Sequence, residues 1–348
     1  MRILIVGSLS NYAIERFFLK HLNSGIDDNT ECKVFAAQDL FLNYYNKQLL
    51  NKVIFRLGYK KIYDKINTQL KKEIELYKPD IIWIFKGMEI YPETLKWAKN
   101  KNTKLVNYNP DNPFLFSGKG SGNSNITKSI RLYDLHLTYS SEVKVEIESK
   151  YSIPVAILPF GFEVGEDIYE RCRSMKEIKK LCFVGNPDKY RADFLVNLAG
   201  HDISIDVYGN NWSKFIDHPN IKVHGMVTGV DFWFTLYKYR IQLNLMRPHN
   251  LHTHNMRSFE IPGVGGIQLA PDTYDHKTYF DPDKEIFIYQ NLSTCVEQIN
   301  KILLLTESEA NQRREYARYR SMQSGYSYKS RTEQALKEIK SVCEYGNG

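Results

Sequence analysis

At 348 residues, with 43% hydrophobic and 25% charged side chains, the chain has ordinary globular composition, which excludes disordered, collagen-like and low-complexity readings. Its length fits two domains, each large enough to close a core. Lys+Arg 47 against Asp+Glu 40 leaves +7, a mild excess that suits an anionic ligand (phosphates, nucleic acid or a lipid headgroup) without selecting one.

Tyrosine is in surplus, 24 beside 18 Phe, which fits ring-rich wet surfaces but mostly reflects a Lys/Asn/Ile/Tyr-rich coding bias. Five dispersed cysteines form no CxxC, and no histidine stands at ligand spacing from them, so a disulfide scaffold and a cysteine-based zinc site are excluded. The N-terminal apolar run stops at Val6 with no small-residue cleavage site after it. No stretch approaches the ~20 apolar residues of a membrane span. The expectation is a cytoplasmic protein, with peripheral placement at the inner face of the cell membrane.

In chain order, Ile3–Val6 is a short apolar strand ending at Gly7-Ser8, followed by a helical pattern through Phe17, Leu19 and Leu22. Apolar positions at three- and four-residue spacing predict one long helix over 43–77. Ile81–Phe85 reads as a buried strand, Pro92 starts a helix, and Lys104–Tyr108 is a strand running into Asn109-Pro110-Asp111. Leu135–Tyr139 and Val155–Leu158 complete a first series, and 162–180 reads as a connection. The pattern restarts with strands Leu181–Val184, Ser204–Tyr208, Ile221–His224, Ile241–Leu245 and Gly266–Ala270, interleaved with helices, and closes on a charged helix over Tyr316–Cys343. Two series of alternating strands and helices predict an α/β protein of two facing, doubly wound parallel-sheet domains.

In such sheets ligands sit beyond the carboxyl ends of the strands. The glycines there (Gly7, Gly87, Gly161, Gly185, Gly209, Gly225) are either turns or close-approach points for a ligand. Neither G-x-G-x-x-G after the first strand nor G-x-x-x-x-G-K-[ST] occurs, so a nucleotide would be bound by other means.

The densest segment is His252-Thr253-His254-Asn255-Met256-Arg257-Ser258-Phe259-Glu260, followed by Gly265-Gly266-Ile267. Arg257 and Glu260 share a helical face, which is either a plain i,i+3 ion pair or a cation for phosphates beside an acid for ribose hydroxyls. The stretch Asn255-Met256-Arg257-Ser258-Phe259-Glu260 with its Gly-rich turn resembles the C-terminal domain of CgeB-like (spore-maturation-type) glycosyltransferases, relatives of the retaining family-4 group with GT-B fold. The likeness extends through Phe183-Val184-Gly185, Val207-Tyr208-Gly209, His224-Gly225 and Leu243-Asn244-Leu245, on to Ser327-Tyr328 and Arg331. It is weaker through Lys78-Pro79-Asp80, Asp111-Asn112-Pro113 and Leu158-Pro159-Phe160-Gly161.

The resemblance implies two Rossmann-like domains: an acceptor domain at 1–165, to which a terminal helix at 325–348 crosses back, and a donor domain at 166–324. It implies a glycosyltransferase moving a sugar from a nucleotide-sugar to a surface polysaccharide, glycolipid or protein acceptor. No cofactor or obligatory metal is implied, and an anionic membrane is an accompanying contact. Glu260 falls to the ribose, Arg191 and Arg257 to the diphosphate, and His224-Gly225-Met226 to the base. Gly185, Tyr208, Gly209, His252, Asn255 and Gly266 complete the donor-binding set. Where the wider retaining group has a first glutamate, eight positions before the second, this chain has His252.

Asp111 is the candidate proton acceptor, or alternatively a turn residue before Pro113. His249, His252 and His254 have loose metal-like spacing without a carboxylate, which fits donor-loop contacts better. Asp281-Pro282-Asp283 reads as a turn. Lys119 within Gly118–Ser124 reads as an acceptor loop. Two alternatives are an epimerase of the same fold and a non-enzymatic polyanion or nucleic-acid binder. Dispersed basic residues without interleaved aromatics count against the latter.

Overall fold

The computed structural model describes residues 1–11, 13–115, 122–248 and 251–344. It divides into two units, Met1–Pro159 with Tyr328–Gly348, and Phe160–Ser327.

The first unit is built on six parallel strands: β1 (Arg2–Val6), β2 (Glu31–Phe35), β3 (Ile81–Phe85), β4 (Lys104–Asn109), β5 (Leu135–Thr138) and β6 (Val155–Ile157), in the order β2-β1-β3-β4-β5-β6. Every residue of β3 is buried, as a strand covered on both faces requires. One face packs the helix Lys61–Tyr77 through Ile66, Leu70 and Ile74 onto Leu4, Ile82 and Ile84. The other carries an aromatic cluster in which Phe18 meets Trp83, Phe85, Tyr108 and Tyr328. Tyr328 opens the last helix, Tyr328–Glu344, and stacks on Phe17 at 4.7 Å.

The second unit repeats the plan with β7 (Ile178–Val184), β8 (Ile205–Tyr208), β9 (Ile221–His224), β10 (Tyr239–Leu243), β11 (Gln268–Pro271) and β12 (Phe287–Tyr289), ordered β12-β11-β10-β7-β8-β9. All of its ladders are parallel. Leu181, Phe183, Ile205, Val207, Ile241 and Leu243 line one apolar face under the helices Lys189–Ala199 and Leu292–Leu303. Two doubly wound parallel sheets are the expected α/β architecture.

Several elements differ from expectation. The helix predicted over 43–77 is three helices, Ala37–Lys47, Leu49–Arg56 and Lys61–Tyr77, interrupted where Gln48 turns extended and again at Leu57-Gly58. The terminal helix is likewise two, Glu307–Gln323 and Tyr328–Glu344. They part at Gly325, whose φ of +68° suits a residue without Cβ. The presumed connection over 162–180 holds the helix Glu166–Arg173 and the start of β7. Strand β2 was not anticipated. No helix among the described residues is long and apolar enough to cross a membrane.

Candidate functional site

A doubly wound sheet opens a ligand crevice where its winding reverses, because the loops of two adjacent strands there run to opposite faces. In the second unit that point lies between β7 and β10, and the basic side chains predicted for a diphosphate gather there. The Arg191 guanidinium spans the two loops. It donates to Asn186 O (3.2 Å) after β7 and to Leu245 O (2.8 Å) after β10. Burial lowers its pKa to about 10, with the neighbouring positive charges of Arg247 and Arg257 adding to the effect and Asp188 opposing it, so it remains a cation at neutral pH. Its Nε is buried without a hydrogen-bond partner.

Arg257 donates from Nε to Val184 O (3.0 Å), the last residue of β7, pairs through Nη1 with Glu260 Oε2, and lies over the Phe232 ring. Glu260 is buried, and that burial raises its pKa against the opposing pull of Arg257. The ion-pair reading and the ligand reading therefore describe the same atoms. Arg257 is a quarter exposed, and its guanidinium is shared between Glu260 and the outside.

A buried polar network sets this helix in place. Asn255 Oδ1 accepts from Ser258 N–H (3.2 Å) at the helix start, and its Nδ2 donates to Asn244 Oδ1 (2.7 Å) just beyond β10. Ser258 Oγ meets His276 Nε2 at 2.8 Å, and burial drops His276 to about 4, keeping it neutral. Asn255 thus acts as a cap and tether. Asn244 and Ser258 lie in the stretches that carry the resemblance but are given no role there, and His276 is not singled out; nothing but the fold brings 244, 258 and 276 together.

Other predicted residues take structural places. Gly185 N–H is spent on Tyr208 O (3.0 Å), and Gly185 O accepts from the Trp212 indole (2.8 Å). Gly209, at φ +153°, lies so close to Gly185 O that a Cβ there would overlap it. Gly266 N–H closes the helix on Ile261 O (2.8 Å), and a Cβ on Gly266 would meet Leu236 O. Tyr208 and His224 stack on each other at 4.4 Å, and the Tyr208 hydroxyl joins Tyr239, which donates to the buried Asp206 (2.6 Å). Gly225 and Met226 are different: a Cβ at Gly225 would meet nothing within 4 Å, and Met226 is exposed.

His252 and His254 differ in their settings. His254 is fully buried, with Nδ1 2.7 Å from Asp275 Oδ2, while His252 is exposed and His249 lies outside the described residues. Asp281-Pro282-Asp283 forms a turn in which Asp283 N–H donates to Asp281 Oδ1 (2.9 Å).

The first unit presents the opposite charge at its own strand ends. The loop after β1 is held by carboxylates: Ser8 N–H donates to Glu15 Oε1 (3.0 Å), Leu9 N–H to Asp39 Oδ2 (2.7 Å), and Ser8 Oγ to Asp39 Oδ1 (2.6 Å). Amides that would cradle a phosphate in a dinucleotide-binding protein are occupied here by the protein's own acids. Burial raises both Glu15 and Glu89 to about 7. Asp111, in the loop after β4, has Oδ2 2.7 Å from Lys86 Nζ, and its N–H donates to Asn109 Oδ1 (3.0 Å). Of the Gly118–Ser124 loop, residues 118–121 including Lys119 lie outside the described residues.

The first unit thus has carboxylates at its strand ends, and the second has a guanidinium cluster at its reversal point. Residues 191–337 match a family model described as glycosyl transferase-like. No curated relative matches the sequence. Among solved structures, sucrose-phosphate synthase from Thermosynechococcus elongatus aligns over 99% of this chain and 100% of its own at TM-score 0.68 and 10% identity. A glycosyltransferase from Rickettsia africae aligns over 98% of both chains at TM-score 0.64 and 13% identity. UDP-GlcNAc 2-epimerase from Neisseria meningitidis, bound to UDP-GlcNAc, aligns over 97% and 99% at TM-score 0.57 and 12% identity. The fold is GT-B, and the glycosyl transferase-like match lies in residues 191–337.

Proposed function

We propose that this protein transfers a glycosyl group from a nucleotide-sugar to a surface polysaccharide, glycolipid or protein acceptor, without an obligatory metal, and that it belongs to the CgeB-like branch. The observation that carries this reading is the arginine cluster at the β7/β10 reversal point, with the buried Glu260 beside it, inside the glycosyl transferase-like stretch. Guanidinium groups match diphosphate oxygens through paired donors, and a carboxylate accepts from ribose hydroxyls. Leaving-group charge can then be met by Arg191 and Arg257, the work a metal does elsewhere. Because the Gly185 and Gly266 amides are already committed, donor binding rests on side chains rather than on a glycine cradle. Asp111 serves as acceptor base, and peripheral contact with an anionic membrane brings the enzyme to its acceptor.

The test is a thermal-shift screen with UDP-, GDP-, ADP-, dTDP- and CMP-sugars. One nucleotide should raise the melting temperature, and Arg257→Ala or Glu260→Ala should weaken its affinity roughly tenfold to a hundredfold, the worth of a charge-assisted hydrogen bond. An absence of any shift would overturn the reading. Asp111→Asn should abolish transfer while sparing donor binding; unchanged turnover removes Asp111 from the reaction. A second reading, a nucleotide-sugar epimerase, is favoured by the full-length fold match to the UDP-GlcNAc 2-epimerases and predicts donor conversion with no acceptor present.

A further inference from the structure

The second unit carries another basic site, at the opposite end of its sheet. Strand β7 runs seven residues from Ile178 to Val184, about 20 Å at ~3.3 Å per residue, so its start is remote from the Gly185 loop. A cavity of ≈ 290 Å³ opens at that start. Its wall combines the last residue of the helix Glu166–Arg173, the segment entering β7, the residues just before β10, and the first turns of the helix Glu307–Gln323.

Five of the lining residues are cations and two are acids. One acid, Glu177, is already consumed: Arg240 holds both of its carboxylate oxygens, and Arg314 Nη2 approaches Oε1 at 3.0 Å. Arg314 Nη1 and Nη2 donate further to the Tyr237, Gly265 and Tyr239 carbonyls, so its terminal nitrogens are committed while its charge remains in the wall. Lys176, Lys179 and Lys238 stand differently. Among the described residues none of them forms an ion pair, and Lys238 leans over the Tyr239 ring at 5.5 Å. Three lysines, with nine rotatable donors between them, line a small space in which Glu177 is neutralised and Glu307, at the start of its helix, is the one remaining acid. A lone carboxylate would leave most of those donors unmet. A phosphoryl group, with two to four free oxygens and one or two charges, matches them better.

We propose that this cavity is a second anion site, distinct from the arginine cluster, and that Lys176, Lys179 and Lys238 bind a phosphoryl group there, supplied either by a free phosphate ester or by the headgroup of an anionic lipid. Because the site lies away from β7's carboxyl end, it stands independently of the proposed transfer activity.

The test uses the full chain and three variants: Lys176→Gln/Lys179→Gln/Lys238→Gln, the same three positions changed to Arg, and Arg257→Ala. Inorganic pyrophosphate is titrated by calorimetry. Sedimentation is measured with phosphatidylcholine vesicles with and without phosphatidylglycerol. Near an anionic surface each lysine is worth roughly fivefold, so the triple Gln variant should lose on the order of a hundredfold in vesicle binding, while the triple Arg variant retains it. For pyrophosphate, the wild type should show two binding events, the Gln variant losing one and Arg257→Ala the other. Binding to pyrophosphate alone identifies a soluble phosphate ester as the ligand; binding only to phosphatidylglycerol vesicles identifies a lipid headgroup. Absence of the Arg257-dependent event in the wild type would speak against the donor site and leave this one standing. Survival of both pyrophosphate events in the triple Gln variant together with unchanged vesicle binding, or no lysine-dependent binding to either probe, overturns the proposal.

Discussion

At the scale of single residues, glycines separate packing from ligand contact. Gly209 cannot accept a Cβ without meeting Gly185 O, and its φ of +153° adds strain, so Gly209→Ala should destabilise by about 1–3 kcal/mol, measured by denaturant unfolding. Gly225 faces open space, so Gly225→Ala should leave the unfolding midpoint unchanged. If the nucleotide base meets this backbone, the same substitution should still weaken nucleotide binding, and equal affinity would move the base elsewhere. Glu15 supplies a pH-dependent counterpart. Its pKa is raised to about 7, so the folded state favours the protonated form. The resulting penalty is absent below the ordinary carboxylate range and fully developed above pH 7. Glu15→Gln, which keeps an acceptor for Ser8 N–H, should therefore stabilise the protein relative to wild type at pH 8 but not at pH 4. The difference is at most about 3 kcal/mol, from 1.36 kcal/mol per pKa unit. Equal differences at both pH values would show that Glu15 ionises normally. None of this was visible in the sequence, where Glu15 reads as an ordinary first-turn acid. Its burial follows from the missing side chain at Gly7, against which the carboxylate packs.

At the scale of elements, what could be read depended on how strongly one physical signal dominated. Strands covered on both faces, such as β3, are uninterrupted apolar runs, and sequence alone located them. Edge strand β2, Glu31-Cys32-Lys33-Val34-Phe35, has an exposed start and mixed polarity, so it gives no such run. Helix breaks escaped for the opposite reason. Apolar spacing continues across Gln48 because Leu40, Phe41, Phe55 and Ile62 all pack on the same core, although the backbone between them changes direction. In the site, the Arg257–Glu260 spacing was legible because both lie on one helix. The tethers from Asn244 and His276 were not, because they come from separate strand ends. The segment entering β7 carries its own prediction. Burial pushes Glu177 up, yet hydrogen bonds and charge from Arg240 and Arg314 bring it below the usual carboxylate range. Glu177→Ala would leave Arg240 and Arg314 buried without their counter-ion, so a loss of about 3 kcal/mol is expected at neutral pH. The stabilisation belongs to the ionised form. It should be complete above the ordinary carboxylate pKa and disappear as pH falls through the lowered one, so wild type and variant should converge in acid. Curves that stay parallel down to pH 2 would show that packing, not charge, is what Glu177 supplies.

At the scale of the whole molecule, chain order and unit membership disagree in one place. The last helix, Tyr328–Glu344, follows the second unit in sequence but completes the first. Its Tyr328 closes the aromatic cluster of Phe17, Phe18, Trp83 and Tyr108. Gln334 donates to Ile157 O (2.9 Å) at the end of β6, and Lys340 pairs with Asp27 at 2.7 Å, lowering that carboxylate to about 2 through a side-chain hydrogen bond. Removing the helix would uncover Phe17 and Phe18 and the part of the first sheet at β4 and β5 on which it packs. A fragment ending at Pro159 should therefore fail to give a cooperative melt, and supplying residues 328–348 through a short linker should restore one. The second unit has no such debt. Its sheet, its buried Glu177–Arg240–Arg314 network and all of the residues proposed to bind the donor lie within 160–327. The fragment Phe160–Ser327 should fold alone and keep the nucleotide affinity of the full chain within about threefold, while losing transfer entirely. Folding without nucleotide binding would place part of the donor site on the first unit and shift the search toward Glu15, Glu89 and Asp111.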